Sequence, residues 1–385
     1  MNSLDQLSVA IVGAGMGGLT AAATLRQTGI EVQVYEQARQ FARIGAGIQM
    51  LPNSMKVLRR IGVEDRVRDF AFEPKSHLNR VADTGEVIIE LPMPEDRYGA
   101  PYLCMHRGDL HEALLSIAPP EIVHLNKTLV GLEQGEGQVT LSFADGTTAQ
   151  ADAVIGADGL HSVVRELLVG PEHPRFSGRV AYRGVFPSEL MDGYDLPQSR
   201  TKWWGEDRHI VIYYTTADRS EVYFVTSLPE STEWLTPESW SAKGDVEELR
   251  AAFEGFHPEV RTVLDAAPDC HKWAILERDP LPIWSQGRVV LLGDSCHPMT
   301  PYMAQGAATS MEDAAVLARC FEQADDIEGA FQMYENHRKP RTSRIQAISS
   351  ANTWMHQPNN SGNDPDALYG YDAWNAPLRE PAVTP

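Results

Sequence analysis

Basic residues are the scarce charge in this chain. Lys and Arg number 33 against 53 Asp and Glu, a formal net charge of −20. So acidic a protein repels phosphate backbones, and it has no polybasic segment to seek an anionic membrane, so neither nucleic acid nor membrane is expected as a partner. No uninterrupted apolar run reaches about 18 residues, which excludes a membrane-spanning helix. The polar start, Met1 to Leu7, lacks the basic stretch of a secretory signal. Cysteine is rare as well: Cys104, Cys270, Cys296 and Cys320 are scattered and form no Cys-x-x-Cys pair, against both a disulfide framework and a cysteine zinc site. The histidines near the motifs below lack metal spacing, so no metal is expected. These absences predict a cytoplasmic, reduced protein. What remains is ordinary: 385 residues, 43% hydrophobic and 22% charged, enough for two to three domains or one large fold with an inserted layer.

Near the N-terminus the pattern is strand, glycine loop, helix, strand. Ser8 to Val12 is a short apolar run, Gly13-Ala14-Gly15-Met16-Gly17-Gly18 follows, Leu19 to Thr28 is helical, and Glu31 to Glu36 alternates. That is one βαβ unit. Leu51 to Ile61 and Arg107 to Ile117 read as helices, and Val139 to Ile155 as a hairpin feeding a strand. From Val180 to Thr226 the period switches to two, with strands at 181–186, 201–204, 209–216 and 221–226, an antiparallel meander between α/β parts. Val246 to Phe253 and Pro258 to Ala267 look helical, Arg288 to Leu292 is a buried strand, Ala304 to Phe321 contains a helix, and a long helix runs from about Ile327 through Ala351. Beyond His356 irregular structure is expected, docked through Tyr369, Tyr371 and Trp374.

Gly13-x-Gly15-x-x-Gly18 lies in the context that gives such a loop meaning. The first glycine makes a tight turn, the second lets backbone approach a pyrophosphate, and the third lets the helix pack closely. The helix N-terminus offers unsatisfied N–H groups to phosphate. Glu36 ends the second strand, where an acid binds ribose hydroxyls and disfavours a 2′-phosphate. The loop itself does not choose between FAD and NAD.

Two later segments do: Gly156-Ala157-Asp158-Gly159-Leu160-His161-Ser162-Val163-Val164-Arg165 and Gly293-Asp294-Ser295-Cys296-His297-Pro298. Together with the first loop, in this order, they resemble the single-component FAD-dependent aromatic hydroxylases, the group that includes 4-hydroxybenzoate and salicylate hydroxylases. The resemblance spans roughly residues 8 to 350. It implies an α/β fold, a Rossmann-like FAD-binding domain at 1–72, 98–175 and 268–350, and an inserted antiparallel β-sheet substrate domain at 73–97 and 176–267. A long C-terminal helix and an irregular segment at 351–385 complete the chain. It implies non-covalent FAD, NADH or NADPH as co-substrate, O2, and a flavin C4a-hydroperoxide that hydroxylates a ring bearing a hydroxyl or amino donor. It also implies a monomer or homodimer. Within it, Asp294 after Gly293 meets the ribityl chain, Arg107 the FAD phosphates, and Asp158 with Gly159 the two cofactors. Arg43 falls in the segment bordering the flavin, and Gly306 lies near the flavin pyrimidine edge. Other readings stand beside these: Asp158 as a helix cap, Arg165 as a structural ion pair, and His297 as a loop anchor.

Further segments resemble the branch of this family that acts on hydroxylated pyridine carboxylates and releases CO2. They are Gly45-Ala46-Gly47-Ile48, Lys202-Trp203-Trp204, Tyr213-Tyr214-Thr215-Thr216 and Ala304-Gln305-Gly306-Ala307. The departures fall at pocket positions, where Gln49 and Tyr302 replace expected histidines and Arg200 an expected cysteine. His209 and Tyr213 are retained. Alternation puts His209, Val211 and Tyr213 on one strand face, so His209 and Tyr213 are expected to hydrogen-bond or deprotonate one substrate oxygen, beside Gln49 and Tyr302. Arg200 is either the partner of a substrate carboxylate or a solvated residue in the loop after Pro197. Trp203 and Trp204 are expected to pack. A salicylate- or 4-hydroxybenzoate-type hydroxylase, a flavoprotein without oxygenase activity, and an amine oxidase or dehydrogenase are the alternatives.

Overall fold

The computed structural model describes residues 7–43, 46–231, 242–356 and 364–378. The apolar runs that begin and end the βαβ pattern form a six-stranded sheet. Its order is Ser285–Gln286, Val289–Leu291, Ala153–Gly156, Ser8–Val12, Glu31–Tyr35 and Val123–His124. All pairs are parallel except the first, which is antiparallel. The helices Met16–Gln27 and Gly306–Gln323 pack against each other beside this sheet, and their apolar faces merge with it into one core. Parallel strands buried on both faces must be apolar throughout, which is why Ser8–Val12 and Ala153–Gly156 read as continuous hydrophobic runs.

The period-two region forms a seven-stranded sheet in the order His271–Glu277, Arg175–Pro187, Glu221–Pro229, His209–Tyr214, Arg200–Trp204, Ser76–Val81 and Val87–Pro92. Residues 76–92 thus join the later strands, through a parallel pairing of Ser76–Val81 with Arg200–Trp204 in an otherwise antiparallel sheet. The sheet also reaches past residue 267. His271–Glu277, assigned above to the cofactor domain, is its edge strand, paired with Arg175–Pro187. Helices Val246–Ala252 and Pro258–Ala266 cover one face and complete a second core.

The long helix is Ile327–Ser350. After it, Pro365–Tyr369 is a short helix rather than irregular chain, and Tyr369 is fully buried. The docking expected of the aromatic tail is seen at Tyr371, whose ring lies 3.9 Å from the Arg341 guanidinium, and at Gly370, whose carbonyl accepts from Lys56 Nζ at 2.8 Å. The four cysteines are buried and unpaired. Among the described residues, no helix is long and apolar enough to cross a membrane.

Candidate active site

The three glycines of the first loop serve three different needs. Gly13 holds φ at +103°, and a Cβ there would stand 2.4 Å from the Ala157 carbonyl oxygen. Gly18 abuts the loop itself, where a Cβ would fall 2.0 Å from the Gly13 oxygen. At Gly15, the N-cap of Met16–Gln27, a Cβ would meet nothing within 4 Å. Gly13 and Gly18 are required by packing, whereas Gly15 faces open space above a helix N-terminus. Glu36 closes this end. Its Oε2 accepts from the Ala14 N–H and its Oε1 from the Ala38 N–H, both at 2.8 Å, and it lines a cavity with Gly13, Gly15, Asp158 and Gly159.

That cavity meets a larger cleft at Gly15, Ala157 and Gly159. Arg107, Asp294 and Gly306 line the cleft on the cofactor side. Strand Val289–Leu291 ends in the tight turn Gly293–Ser295; Gly293 has φ +67°, and a Cβ there would stand 2.5 Å from Ser310 Oγ. Surrounding protein raises the Asp294 pKa by desolvation, against the pull of His297 and Arg107. Gly306 opens an 18-residue helix whose N-terminal N–H groups favour negative charge in the cleft. Two joined cavities, one ending at an acid and the other at Asp294 and a helix N-terminus, suit an elongated dinucleotide. The open position at Gly15 is the cradle that a Cβ would fill.

Other predicted residues support this site from behind. Asp158 accepts from Ser162 Oγ at 2.5 Å and from the Val164 N–H at 3.0 Å, so its carboxylate holds the start of helix Val163–Val169 while it borders the Glu36 cavity. Arg165 donates to the carbonyls of Leu160 and Ser295 and pairs with Glu172, tying this segment to the Gly293 turn. His297 Nε2 meets Asp313 Oδ2 at 2.5 Å, and Asp313 also accepts from the Gly293 N–H and from Arg338 Nε. Arg338 and Arg341 pair with the buried Glu312. Burial pushes the Asp313 carboxyl up, but His297 and Arg338 outweigh it and the net shift is down. Cys296, His297 and Asp313 lie close enough to suggest metal ligands, yet both Asp313 oxygens are committed to these partners. Arg43 is half-exposed and bound to Asp109 and Glu221, and it is not among the residues lining the two cavities.

The far wall of the cleft is the inner face of the seven-stranded sheet. Tyr213, Tyr223 and Val225 line it, opposite Gly47 and Gln49. A Cβ at Gly47 would fall 2.7 Å from the Tyr213 hydroxyl and 2.5 Å from the Tyr223 ring, so glycine is needed there. Tyr102 donates to Gln49 Oε1 at 2.6 Å, and the Gln49 amide lies near the Tyr213 hydroxyl, where it opposes slightly the rise that burial gives the Tyr213 pKa. Burial raises the Tyr213 pKa well above the usual phenol range, so it is a neutral donor rather than a base.

His209 and Tyr302 form a second group. Their rings meet edge-on at 5.3 Å, Tyr302 hydrogen-bonds Ser227 Oγ at 2.9 Å, and both border a separate cavity with Arg179, Trp204 and His356. The expectation that His209 and Tyr213 share one substrate oxygen is therefore corrected. They occupy one strand face, but four residues of strand separate them by about 13 Å, and their side chains turn to different partners. Burial, reinforced by the charges of Lys202, Arg179 and Arg200, holds the His209 imidazole well below its usual pKa, so it is neutral. Arg200 is not in a solvated loop; it opens the strand Arg200–Trp204 and is 6% exposed. Trp203 is fully buried, and Trp204 Nε1 bonds Asn79 Oδ1, both packing as expected.

The family described as FAD binding domain matches residues 6–349. The chain is 46% identical over 381 residues, 97% of each chain, to the 6-hydroxynicotinate 3-monooxygenase of Pseudomonas fluorescens. It is 40% identical over 342 residues, 88% of this chain and 85% of the relative, to the 3-amino-4-hydroxybenzoate 2-monooxygenase PtmB3 of Streptomyces platensis. Its fold matches a salicylate hydroxylase–substrate complex with a TM-score of 0.82 at 25% identity, over 96% and 97% of the two chains. It matches Klebsiella pneumoniae HpxO complexed with FAD and uric acid with a TM-score of 0.80 at 27% identity, over 94% and 92%. With two joined cavities shaped for a dinucleotide and a sheet wall for an aromatic ring, the chain belongs to the FAD-dependent aromatic-ring monooxygenases.

Proposed function

We propose that this enzyme inserts one oxygen atom of O2 into the ring of a hydroxylated aromatic or pyridine carboxylic acid. The observation that carries the reading is that Gln49, held by a hydrogen bond from Tyr102, and Tyr213 present polar groups beside the Tyr223 and Trp273 rings, Val225 and Arg183 in the cofactor cleft. Two relatives support it, since both are named for acids of this kind. Gly13, Gly15, Gly18, Glu36, Arg107, Asp158, Gly159, Gly293, Asp294 and Gly306 would hold FAD, which, reduced by NADH or NADPH, supplies the electrons that activate O2.

The chain's own residues orient the ring, exclude water and manage protons. Tyr213, in the cleft wall, can donate its hydroxyl proton to a substrate oxygen or ring nitrogen. Tyr213 thereby fixes the ring's register and stabilises negative charge on that atom. Gln49 cannot take a proton, and burial keeps Tyr213 neutral, so this pair binds and orients. His209, neutral and buried, faces the separate cavity rather than the cleft, and Tyr302 meets its ring from the edge. Val225 and the Tyr223 ring exclude water beneath the substrate.

The test uses purified, FAD-loaded enzyme with NADH or NADPH and O2. The panel is 6-hydroxynicotinate, 3-amino-4-hydroxybenzoate, salicylate and 4-hydroxybenzoate. One acid should stimulate NAD(P)H loss and leave as a product hydroxylated in equal amount, with the carboxyl kept or released as CO2 according to mass. Reduction of O2 to hydrogen peroxide alone, with every acid recovered unchanged, would overturn the proposal.

A further inference from the structure

Arg200 and Lys202 extend the sheet wall beyond the part that lines the cleft. Pairing places Lys202 opposite Val211, and Val211 opposite the cleft-lining Val225. In the same register Thr201 faces Ile212, which sets Arg200 across from Tyr213, itself opposite Tyr223. Both cations therefore stand on the inner face, one strand beyond Tyr213 and Val211. Both are buried: Arg200 is 6% and Lys202 1% exposed.

Among the described residues, neither has an anion beside it. The Arg200 side chain makes no hydrogen bond or ion pair with them, and its Nε is buried without a partner. Lys202 Nζ lies 3.6 Å from the Trp204 ring centroid and 5.9 Å from that of Tyr302, and among the described residues these ring faces are its only partners. On the next strand, the side chains in register are His77 and Asn79, and the Asn79 oxygen is taken by Trp204 Nε1. Removing one cation from water without a counter-charge is costly, and two adjacent ones add mutual repulsion. An arrangement of this kind is suited to a counter-charge brought by a ligand. Arg offers a planar fork matched to a carboxylate, and Lys a point charge beside it.

We propose that Arg200 and Lys202 form one anion pocket that binds the carboxylate of the substrate, with the ring extending across Val211 and Val225 into the cofactor cleft. The cleft-lining Tyr213 stands one strand spacing, about 5 Å, from the strand that carries the cations, and the cleft-lining Val225 stands two, about 10 Å. This assignment rests on the reading of the substrate as an aromatic acid. It adds which residues recognise the charge, and it predicts that the uncharged phenol or pyridinol is a poor ligand.

The test is calorimetric titration of the FAD-loaded enzyme. The probes are 6-hydroxynicotinate, 3-amino-4-hydroxybenzoate and salicylate, each beside its counterpart without the carboxylate: 2-hydroxypyridine, 2-aminophenol and phenol. Wild type should bind at least one acid about 30-fold or more tighter than its counterpart. For that acid, Arg200→Gln should lose about 30-fold or more in affinity and Lys202→Met about tenfold, while the counterpart's affinity stays within about threefold in both. Retained FAD absorbance reports folding, and Arg200→Lys with Lys202→Arg, which keep the charges, should fall between wild type and the neutral variants. The proposal is overturned if wild type binds no acid better than its counterpart, or if either neutral variant changes the acid's dissociation constant less than about twofold. The two levels separate cleanly. Acid binding through these cations without hydroxylation would defeat the proposed function alone, and hydroxylation of an acid insensitive to both variants would defeat only the anion pocket.

Discussion

Tyr102 holds Gln49 in one orientation. Its hydroxyl donates to Gln49 Oε1 at 2.6 Å, so the Gln49 amide N–H, like the Tyr213 hydroxyl on the same cleft, is left for a ligand. Tyr213→Phe and Gln49→Leu should each lower the rate of ring hydroxylation about 100-fold with FAD still bound. Stopped-flow turnover beside the flavin spectrum checks this, and wild-type rates in both variants would remove Gln49 and Tyr213 from the site.

The glycine loop yields two contrasting outcomes. Gly15 has an ordinary φ of −74° and open space at its Cβ position, so Gly15→Glu should fold with unchanged circular dichroism but emerge without FAD, its carboxylate occupying the pyrophosphate path. Gly18→Ala instead drives a Cβ to 2.0 Å from the Gly13 oxygen and should cost about 1–3 kcal/mol of stability or more. A yellow Gly15→Glu protein with full FAD content would contradict the placement of the cofactor.

How much of this could be read from sequence follows from how local each feature is. The three glycines and Glu36 were legible because one continuous βαβ unit carries them. Alternation gave the correct face for His209 and Tyr213, but a face is not a distance, and the partners Tyr302 and Gln49 arrive from other elements. Arg200 was ambiguous because Arg-Thr-Lys-Trp-Trp has polar residues at three of five positions, although all five are buried. The edge strand His271–Glu277 was missed for a similar reason, its charged ends masking the run Trp-Ala-Ile-Leu. The network of Glu312, Asp313, Arg338 and Arg341 was invisible because it exists only where helices Gly306–Gln323 and Ile327–Ser350 touch.

His209 should give no titration step near neutral pH. Its pKa is depressed by burial first and then by Lys202, Arg179 and Arg200, so it is already neutral at pH 6.5 and becomes charged only well below that. The acid limb of kcat/KM should therefore lack an imidazole step between about pH 6 and 7, the range of an unperturbed histidine. A step in that range that disappears in His209→Gln would contradict the neutral assignment.

Lys202 should cost stability in the substrate-free enzyme. Burial first, and then the Arg200 and Arg179 charges, lower its pKa well below the usual lysine range. A base whose folded pKa lies below its unfolded pKa opposes folding most where both forms are charged, and the cost fades as pH rises toward the unfolded value of about 10.4. Lys202→Met should therefore be more stable near pH 7 by about 1–4 kcal/mol, and the gap should close toward pH 10. Thermal unfolding across that range checks the sign; a variant less stable at pH 7 would show that Lys202 has a stabilising partner.

The central claim is that oxygen from O2 enters the ring of an aromatic acid. The most direct test is one turnover series under ¹⁸O2, with the panel acid that stimulates NAD(P)H oxidation and mass analysis of the product. One ¹⁸O atom is expected in the product ring for each NAD(P)H consumed. Product whose new oxygen comes from solvent, or ¹⁸O found only in hydrogen peroxide, would contradict it.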